Sequence, residues 1–394
     1  MKSFINYLVE EADEGKLKHI THAEDRPLQS GSKGFEHAVA ALNSAHQHAK
    51  SSGHSTHLSM KYDGSPSIVF GHHPQTGKFF VASKSAFNKN PKINYSPKDI
   101  EKNHGHAPGL VNKLKQALQH LPKVAPKKGV YQGDVMFGDE DKKEHKGGVS
   151  FTPNTITYTA KGPEAEKVKK AKFGVVVHTQ YREDPEKPGF ENMKADSHPD
   201  VHHFKQHPDV WHKSAEHNTS ELDYPEKDQK QFIKHIEAAK ELHKQQGQSM
   251  YNTTEPHQGA GGHLETYINQ TVRTGEKPTA NGLQQHIENK YKKAAEKLKT
   301  PAAQSRKESE AQQHIAHIEN NKDSYNSLLK LHNHLQQAKN VLVKNLEKHT
   351  GNLEHHIDNK PTGPEGFVVN YAGTPTKLVN RAEFARANLL KVRK

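Results

Sequence analysis

The sequence predicts an α+β fold in which strand-forming segments are interrupted by a large all-helical insertion. Three observations carry this. Between residues 56 and 181, short apolar or alternating runs recur at strand length, separated by turn-forming residues. From Glu226 to about Gly351 the chain becomes rich in Gln, Lys, His and Glu, with apolar residues at helical spacing. After Gly363-Pro364 strand character returns in Glu365-Gly366-Phe367-Val368-Val369-Asn370-Tyr371.

The elements follow in order. Residues 3–14 read as a short amphipathic helix with Phe4, Tyr7 and Leu8 on one side. Phe35, Val39 and Leu42 mark a helix running to about Lys50. Residues 56–70 and 78–83 read as neighbouring strands, the second after the turn signal His73-Pro74-Gln75-Thr76-Gly77. A helix is expected from Gly109 to His120, and a buried strand over Val130 to Phe137 containing Gly133-Asp134. Phe151 to Ala160 alternates as a half-exposed strand does, and Lys172 to Thr179 is the most apolar strand. This half is expected to be connected antiparallel. Residues 195–225 are polar and irregular around Trp211. Helices then follow through Phe232, Ile236, Ala239 and Leu242, ended by Gly247, and from His263 to Val272 after a break over 252–262. A third runs through Leu283, Ile287, Tyr291 and Ala294. Leu328, Leu331, Leu335, Ala338, Leu342 and Leu346 form the seam of a long fourth. Thr376 to Val379 is a short strand, and Arg381 to Leu390 a terminal helix.

Composition bounds the function classes. The 394 residues are only 31% hydrophobic, and the mean hydropathy of −1.00 points to a compact core plus a surface-rich segment. Lys and Arg outnumber Asp and Glu by 57 to 45, a formal charge of +12. Such a surface favours polyanions such as nucleic acid, although solvated lysine-rich helices account for it equally. The absence of cysteine excludes disulfides, thiolate metal sites and cysteine nucleophiles. No apolar run reaches the roughly 18 residues that span a membrane, and Met1 to Glu10 is too short and too acidic for a secretory signal. No membrane partner is therefore expected, and the cytoplasm is the expected compartment. The 32 histidines fall mostly in polar segments and read as solvated; neither a His-Glu-x-x-His sequence nor a Walker-type loop is present.

The chemistry concentrates at Met60-Lys61-Tyr62-Asp63-Gly64-Ser65-Pro66-Ser67. A lysine at a strand end, an aspartate two residues on and a glycine at the turn form a candidate site for covalent catalysis. Strand periodicity would put Lys61 and Asp63 on one face, and Gly64 would let the backbone approach a ligand. Asp134, an acid inside a buried strand, is costly there unless paired or metal-bound.

Lys61-Tyr62-Asp63-Gly64 resembles the nucleotidyl-acceptor motif of ATP-dependent DNA and RNA ligases and capping enzymes. Glu365-Gly366-Phe367-Val368-Val369 resembles their later Glu-Gly-x-Val strand, Gly133-Asp134 stands where they have Gly-Glu, and Lys377 suits their closing lysine-bearing motif. Phe173 to His178 resembles the strand lining the nucleotide pocket. The resemblance implies a nucleotidyltransferase core of antiparallel sheets with flanking helices, using ATP and Mg2+. It gives catalytic roles to Lys61, Asp63 and Lys377, nucleotide binding to Gly64, Phe173 and Val175, and metal binding to Asp134 and Glu365; by position along the chain, Lys84 or Lys89 is the candidate to hold phosphates. It covers about residues 56–181 and 365–380. The implied organisation is an N-terminal helix over 1–20, core over 21–194, insertion over 195–360, and core again over 361–394.

The pattern, with His22-Ala23-Glu24-Asp25 and Phe87-Asn88-Lys89-Asn90-Pro91, also resembles an uncharacterised ligase-like family of large tailed phages. The opening residues resemble the capsid-targeting peptides of phage internal proteins, which are cut after sequences like Leu8-Val9-Glu10; an ordinary docking helix is the alternative. These resemblances imply the cytoplasm of an infected bacterial host, or packaging in the virion. They also imply nucleic acid (RNA, or nicked or ended DNA) as partner, with a capsid or other protein meeting the helical insertion.

Departures sharpen the expectation. The third motif has Asp for Glu, Asn370 stands where many ligases have Lys, and one lysine replaces the usual closing pair. No arginine follows Lys61 at the spacing of DNA ligases, and no C-terminal OB-fold is expected after Lys377. The expected function is end joining through a lysyl-AMP intermediate, RNA before DNA. The alternatives are a non-catalytic nucleic-acid-binding or packaged protein on the same fold, and nucleotide transfer to a protein or small molecule.

Overall fold

The computed structural model describes residues 20–50, 57–187, 189–196, 199–217, 223–254 and 261–381. The expected helix over 3–14, including Leu8-Val9-Glu10, and the terminal helix beyond Arg381 lie outside the described residues. The chain is α+β, with largely antiparallel sheets. The described residues divide into a β-rich unit (57–217 and 349–375) and a helical unit (21–50, 223–348 and 376–381).

This division displaces the expected boundaries. Helix α1 (Arg26–Lys50) was placed in the core by the sequence pattern, yet it joins the helical unit, where its apolar face of Phe35, Ala38, Leu42 and Ala45 is buried. Residues 199–217 and 349–360, expected in the insertion, are part of the β-rich unit. Amphipathic pattern shows that a helix has a buried face but not which partner covers it.

In the β-rich unit, β1 (His57–Lys61) and β2 (Ser67–His72) flank the Lys61 turn, and β3 (Phe79–Ala82) follows. Helices α2 (Pro97–His104) and α3 (Pro108–His120) precede β4 (Val130–Gly138). The short hairpin strands β5 (Lys143–His145), β6 (Gly148–Phe151) and β7 (Thr157–Ala160) lead to helix α4 (Gly162–Lys170) and β8 (Phe173–Arg182). The single strand expected over 151–160 is thus parts of two, turned back at residues 152–156. Next come β9 (Lys194–Asp196), β10 (Val210–Ser214), β11 (Leu353–Ile357), β12 (Lys360–Pro361), β13 (Gly366–Tyr371) and β14 (Thr374–Leu378). One six-stranded sheet is built on β10-β8-β4-β2-β3, with β9 beside β8. A five-stranded sheet has the order β12-β11-β7-β6-β5, and a three-stranded one β1-β13-β14, the unit boundary falling within β14. Every recorded pair in the six-stranded sheet is antiparallel except β8–β10, which is parallel, against expectation.

The two faces of the six-stranded sheet differ. On one, Ile68, Phe70, Tyr131, Val135, Phe173, Val175 and Val177 pack with Ile100 of α2 and Val111, Leu114 and Ala117 of α3. Alternation sends Ser67, Asp134 and His178 to the other face. That face continues into Val69, Phe80, Tyr181, Phe190 and Met193.

In the helical unit, α5 (Glu226–Thr254) and the long last helix form the most extensive helix pair. Between them in sequence lie α6 (Gly261–Thr274), α7 (Ala280–Ala295), α8 (Pro301–Asn320) and then α9 (Lys322–Leu346), whose expected leucine seam is buried. Gly247 does not end α5. The helix runs on because Met250 and Tyr251 beyond it are buried, which offsets the roughly 1 kcal/mol cost of an internal glycine.

His22-Ala23-Glu24-Asp25 lies within this unit, with Ala23 and Glu24 buried and His22 and Asp25 half-buried. Glu24 and Lys339 are both 0% exposed and pair at 2.5 Å. Asp25 accepts from His332 at 2.9 Å and from Arg381 at 2.9 Å. Burial opposes ionisation of both acids, but Lys339 at Glu24, and His332 and Arg381 at Asp25, outweigh it and hold both carboxyls below the ordinary range. Burial likewise holds His22 down at about 4.

Two outcomes follow from this ion group. Lys339→Met would leave Glu24 charged and without its lysine, costing about 3–5 kcal/mol in denaturant unfolding, while Lys339→Met combined with Glu24→Leu should recover much of it. Both acids bind protons less readily folded than unfolded. Their contribution is therefore complete above the unfolded carboxylate range of about 4 and is lost as pH falls through the depressed folded values. Urea midpoints compared at pH 7 and pH 3.5 should fall more for the wild type than for the double variant.

Candidate functional site

Lys61 ends β1 opposite Gly366 of β13. Gly366 has φ of +151°, a conformation that side chains disfavour, and the residue before it is Glu365. This register brings the Lys61 ammonium onto the Glu365 carboxylate in a short ion pair. The two side chains are 27% and 23% exposed, so solvent reaches them.

The chain then turns sharply toward β4. Ser65 N–H donates to the Val135 carbonyl at 2.9 Å, and Val135 N–H to the Pro66 carbonyl at 3.0 Å. Gly64 lies so close that an added Cβ would stand 2.5 Å from the Asp134 Cβ. Its role is close packing of backbone against Asp134.

Asp134 is half-buried, with His178 Nε2 at 3.4 Å from Oδ1. Burial pushes its carboxyl up, but His178, then Ser67 and Lys61, outweigh that and hold it below the usual range. Gln132 donates to Ser67 Oγ at 2.9 Å and accepts from the Tyr181 hydroxyl at 2.7 Å, continuing a polar line along the same sheet face. Lys61, Asp134, Glu365 and His178 therefore form one electrostatic group. His178 had no role in the sequence reading. Its signal is that it breaks the apolar run Val175–Val177 on the face opposite Phe173 and Val175.

Asp63 is not placed for chemistry. It is 7% exposed and faces away into the turn between β6 and β7. Its Oδ1 accepts from Asn154 Nδ2 at 2.8 Å, and its Oδ2 from the N–H groups of Thr155 and Ile156 at 2.6 and 2.8 Å. Its own N–H donates to the Tyr158 hydroxyl at 2.7 Å. The expected catalytic role is corrected to a positioning one, because both oxygens are committed to holding backbone.

Phe173 and Val175 are also corrected. Both are 0% exposed in the helix-covered core, so their side chains cannot line a nucleotide pocket. The β8 residues facing the Asp134 side are Val176 and His178 instead. Lys84 is exposed on the single helical turn Lys84–Phe87 after β3. Lys377 falls in the helical unit, where its backbone N–H donates to the Thr21 carbonyl at 2.9 Å.

Among the described residues no three His, Asp or Glu side chains gather in a metal-binding group. A magnesium ion beside Asp134 and Glu365 would take its remaining ligands from water and a bound phosphate, as this ion commonly does. The hard carboxylate oxygens fit that ion.

The chain belongs to DUF6267, described as a family of unknown function, whose model matches residues 16–393. Neither the curated proteins nor the solved structures contain a match to it.

Two substitutions test this construction. Asp63→Ala should orphan the Thr155 and Ile156 N–H groups and cost about 1–3 kcal/mol for each orphaned donor. Amide exchange at residues 154–156 should accelerate in the same variant. Gly64→Ala should displace β4 at Asp134 and lower stability by about 1–3 kcal/mol, read as a drop in Tm.

Proposed function

We propose that the protein is a nucleotidyltransferase of the ligase type, which uses ATP to adenylylate Lys61 and passes AMP to a nucleic-acid 5′-phosphate end, RNA before DNA. The observation that carries this reading is the Lys61–Glu365 pair set beside Asp134 across the Gly64 turn. Three separated motifs that resemble one family contribute one residue each to that electrostatic group.

In the proposed step the neutral Lys61 Nζ attacks the α-phosphorus of ATP. The N–P bond forms as the bond to pyrophosphate breaks, and pyrophosphate leaves. A lysine is almost fully protonated at neutral pH, so the amine must first lose a proton. Glu365, already hydrogen-bonded to it, is the acceptor this geometry favours. Asp134 and Glu365 would hold magnesium, which offsets charge on the phosphates. Gly64 lets the turn pack closely on Asp134, which keeps that carboxylate beside Lys61.

A second reading, nucleic-acid binding without catalysis, is favoured by the charge of +12 and by the burial of Phe173 and Val175 away from the site. The two diverge in one measurement. Incubation with α-labelled ATP and Mg2+ followed by denaturing electrophoresis should label the wild-type chain and leave Lys61→Ala unlabelled. Glu365→Gln should reduce labelling at least ten-fold. An unlabelled wild type, or equal label on Lys61→Ala, would remove the catalytic reading. Salt-sensitive binding to RNA or DNA in that unlabelled protein would support the second.

A further inference from the structure

The α5–α9 pair carries an arrangement that neither the motifs nor the proposed chemistry uses. His235 of α5 and His334 of α9 face each other at the edge of the seam, their Nδ1 atoms 3.1 Å apart. Their rings are tilted by 43° with centroids 5.4 Å apart, so they meet through ring nitrogens and are not stacked. Both side chains are half-buried, and solvent reaches the pair. Phe232, Ile236 and Ala239 of α5 and Leu331, Leu335 and Ala338 of α9 are buried, and the two helices pack on each other along the stretches that carry the histidines.

Two imidazoles at this distance have two uses. A single hydrogen bond requires one Nδ1 to carry a proton toward the other, leaving one neutral pair in one tautomer. A metal ion replaces that proton and uses both lone pairs. Nitrogen ligands about 2.0–2.1 Å from a zinc ion are about 3.3 Å apart at the tetrahedral angle and about 2.9 Å at a right angle. The observed separation of 3.1 Å lies between these, within the span of two nitrogen ligands on one ion.

Burial, then His334 and Lys234, hold His235 below the ordinary histidine range, and burial does the same for His334. Neutral imidazole is the form that binds metal.

We propose that His235 and His334 together bind one divalent ion of the zinc, nickel or copper class, bridging α5 and α9. Nitrogen donors select this class over magnesium or calcium, which prefer oxygen. No third His, Asp or Glu joins the pair among the described residues, so water or an external donor completes the coordination. The site lies within the helical unit and stands or falls independently of Lys61 adenylylation.

The test uses the full chain, its His235→Gln and His334→Gln variants and the double variant, titrated with Cu2+, Ni2+ and Zn2+ and with Mg2+ as control. The 32 histidines provide background binding, so the readout is the difference between proteins. Wild type should bind one more ion than either variant, at an affinity at least ten-fold above the background sites, and Tm should rise only in wild type. The double variant should match the singles, since both residues serve one ion. Copper electron paramagnetic resonance should show two nitrogen ligands on the tightest-bound ion in wild type and fewer in each variant. This signal also guards against a folding defect, because the variants are compared only after their metal-free Tm values agree with wild type or the wild-type spectrum is read alone. Equal stoichiometry and affinity in all four proteins, or a wild-type spectrum lacking two-nitrogen coordination, would overturn the site.

Discussion

The Asp63 carboxylate joins segments from all three sheets of the β-rich unit. It sits between β1 of the three-stranded sheet and β2 of the six-stranded sheet, and its oxygens hold the β6–β7 turn of the five-stranded sheet. A buried carboxylate is costly to leave unsatisfied, and the two backbone N–H groups it accepts from are equally costly to leave orphaned. Each side thus fixes the other. Because Asp63 lies two residues beyond Lys61, the same constraint sets where β1 ends and where the Lys61 amine begins. Asp63 acts on the candidate site through this backbone, while Glu365, Asp134 and His178 act on it through charge.

The candidate site lies where alternation changes the chemistry of one sheet. One face of the six-stranded sheet is closed by α2 and α3 and is apolar throughout. The other carries Ser67, Gln132, Asp134, His178 and Tyr181 among its apolar residues. A one-residue shift of register in β4 or β8 would exchange these faces, so the same register that completes the core also delivers Asp134 to His178. The helical unit manages buried charge differently. Its Glu24–Lys339 and Asp25–Arg381–His332 contacts give each of these two acids a basic partner, which makes the group costly to break.

Much of the fold was legible. The helices through Phe35, Leu114, Leu283 and Leu335 and the strands containing Phe80, Val135, Val176 and Val368 stand where periodicity put them. Several elements went unread for local reasons, the short strands β5, β9, β10 and β12 among them. Helix α2 has few apolar residues, α8 has a weak apolar stripe, and α4 and β11 are short and polar. At the site, the structure brings Lys61, Glu365 and Asp134 together, whereas Phe173 and Val175, expected at the nucleotide, are buried in the helix-covered core. Strand alternation says that neighbours face opposite ways; it does not say which face is covered by helices.

The sequence by itself determined the α+β class, the helical stretch after Glu226, and Lys61, Asp134 and Glu365 as polar residues placed on strand-like segments. These are properties of periodicity and residue type, which act over a few residues. Tertiary structure alone decided that α1 belongs to the helical unit, that Asp63 holds a turn, that His178 answers Asp134, and that His235 meets His334. Each of those depends on contacts between residues tens to hundreds of positions apart, whose pairing is fixed by sheet register and helix packing and leaves no local trace in the chain.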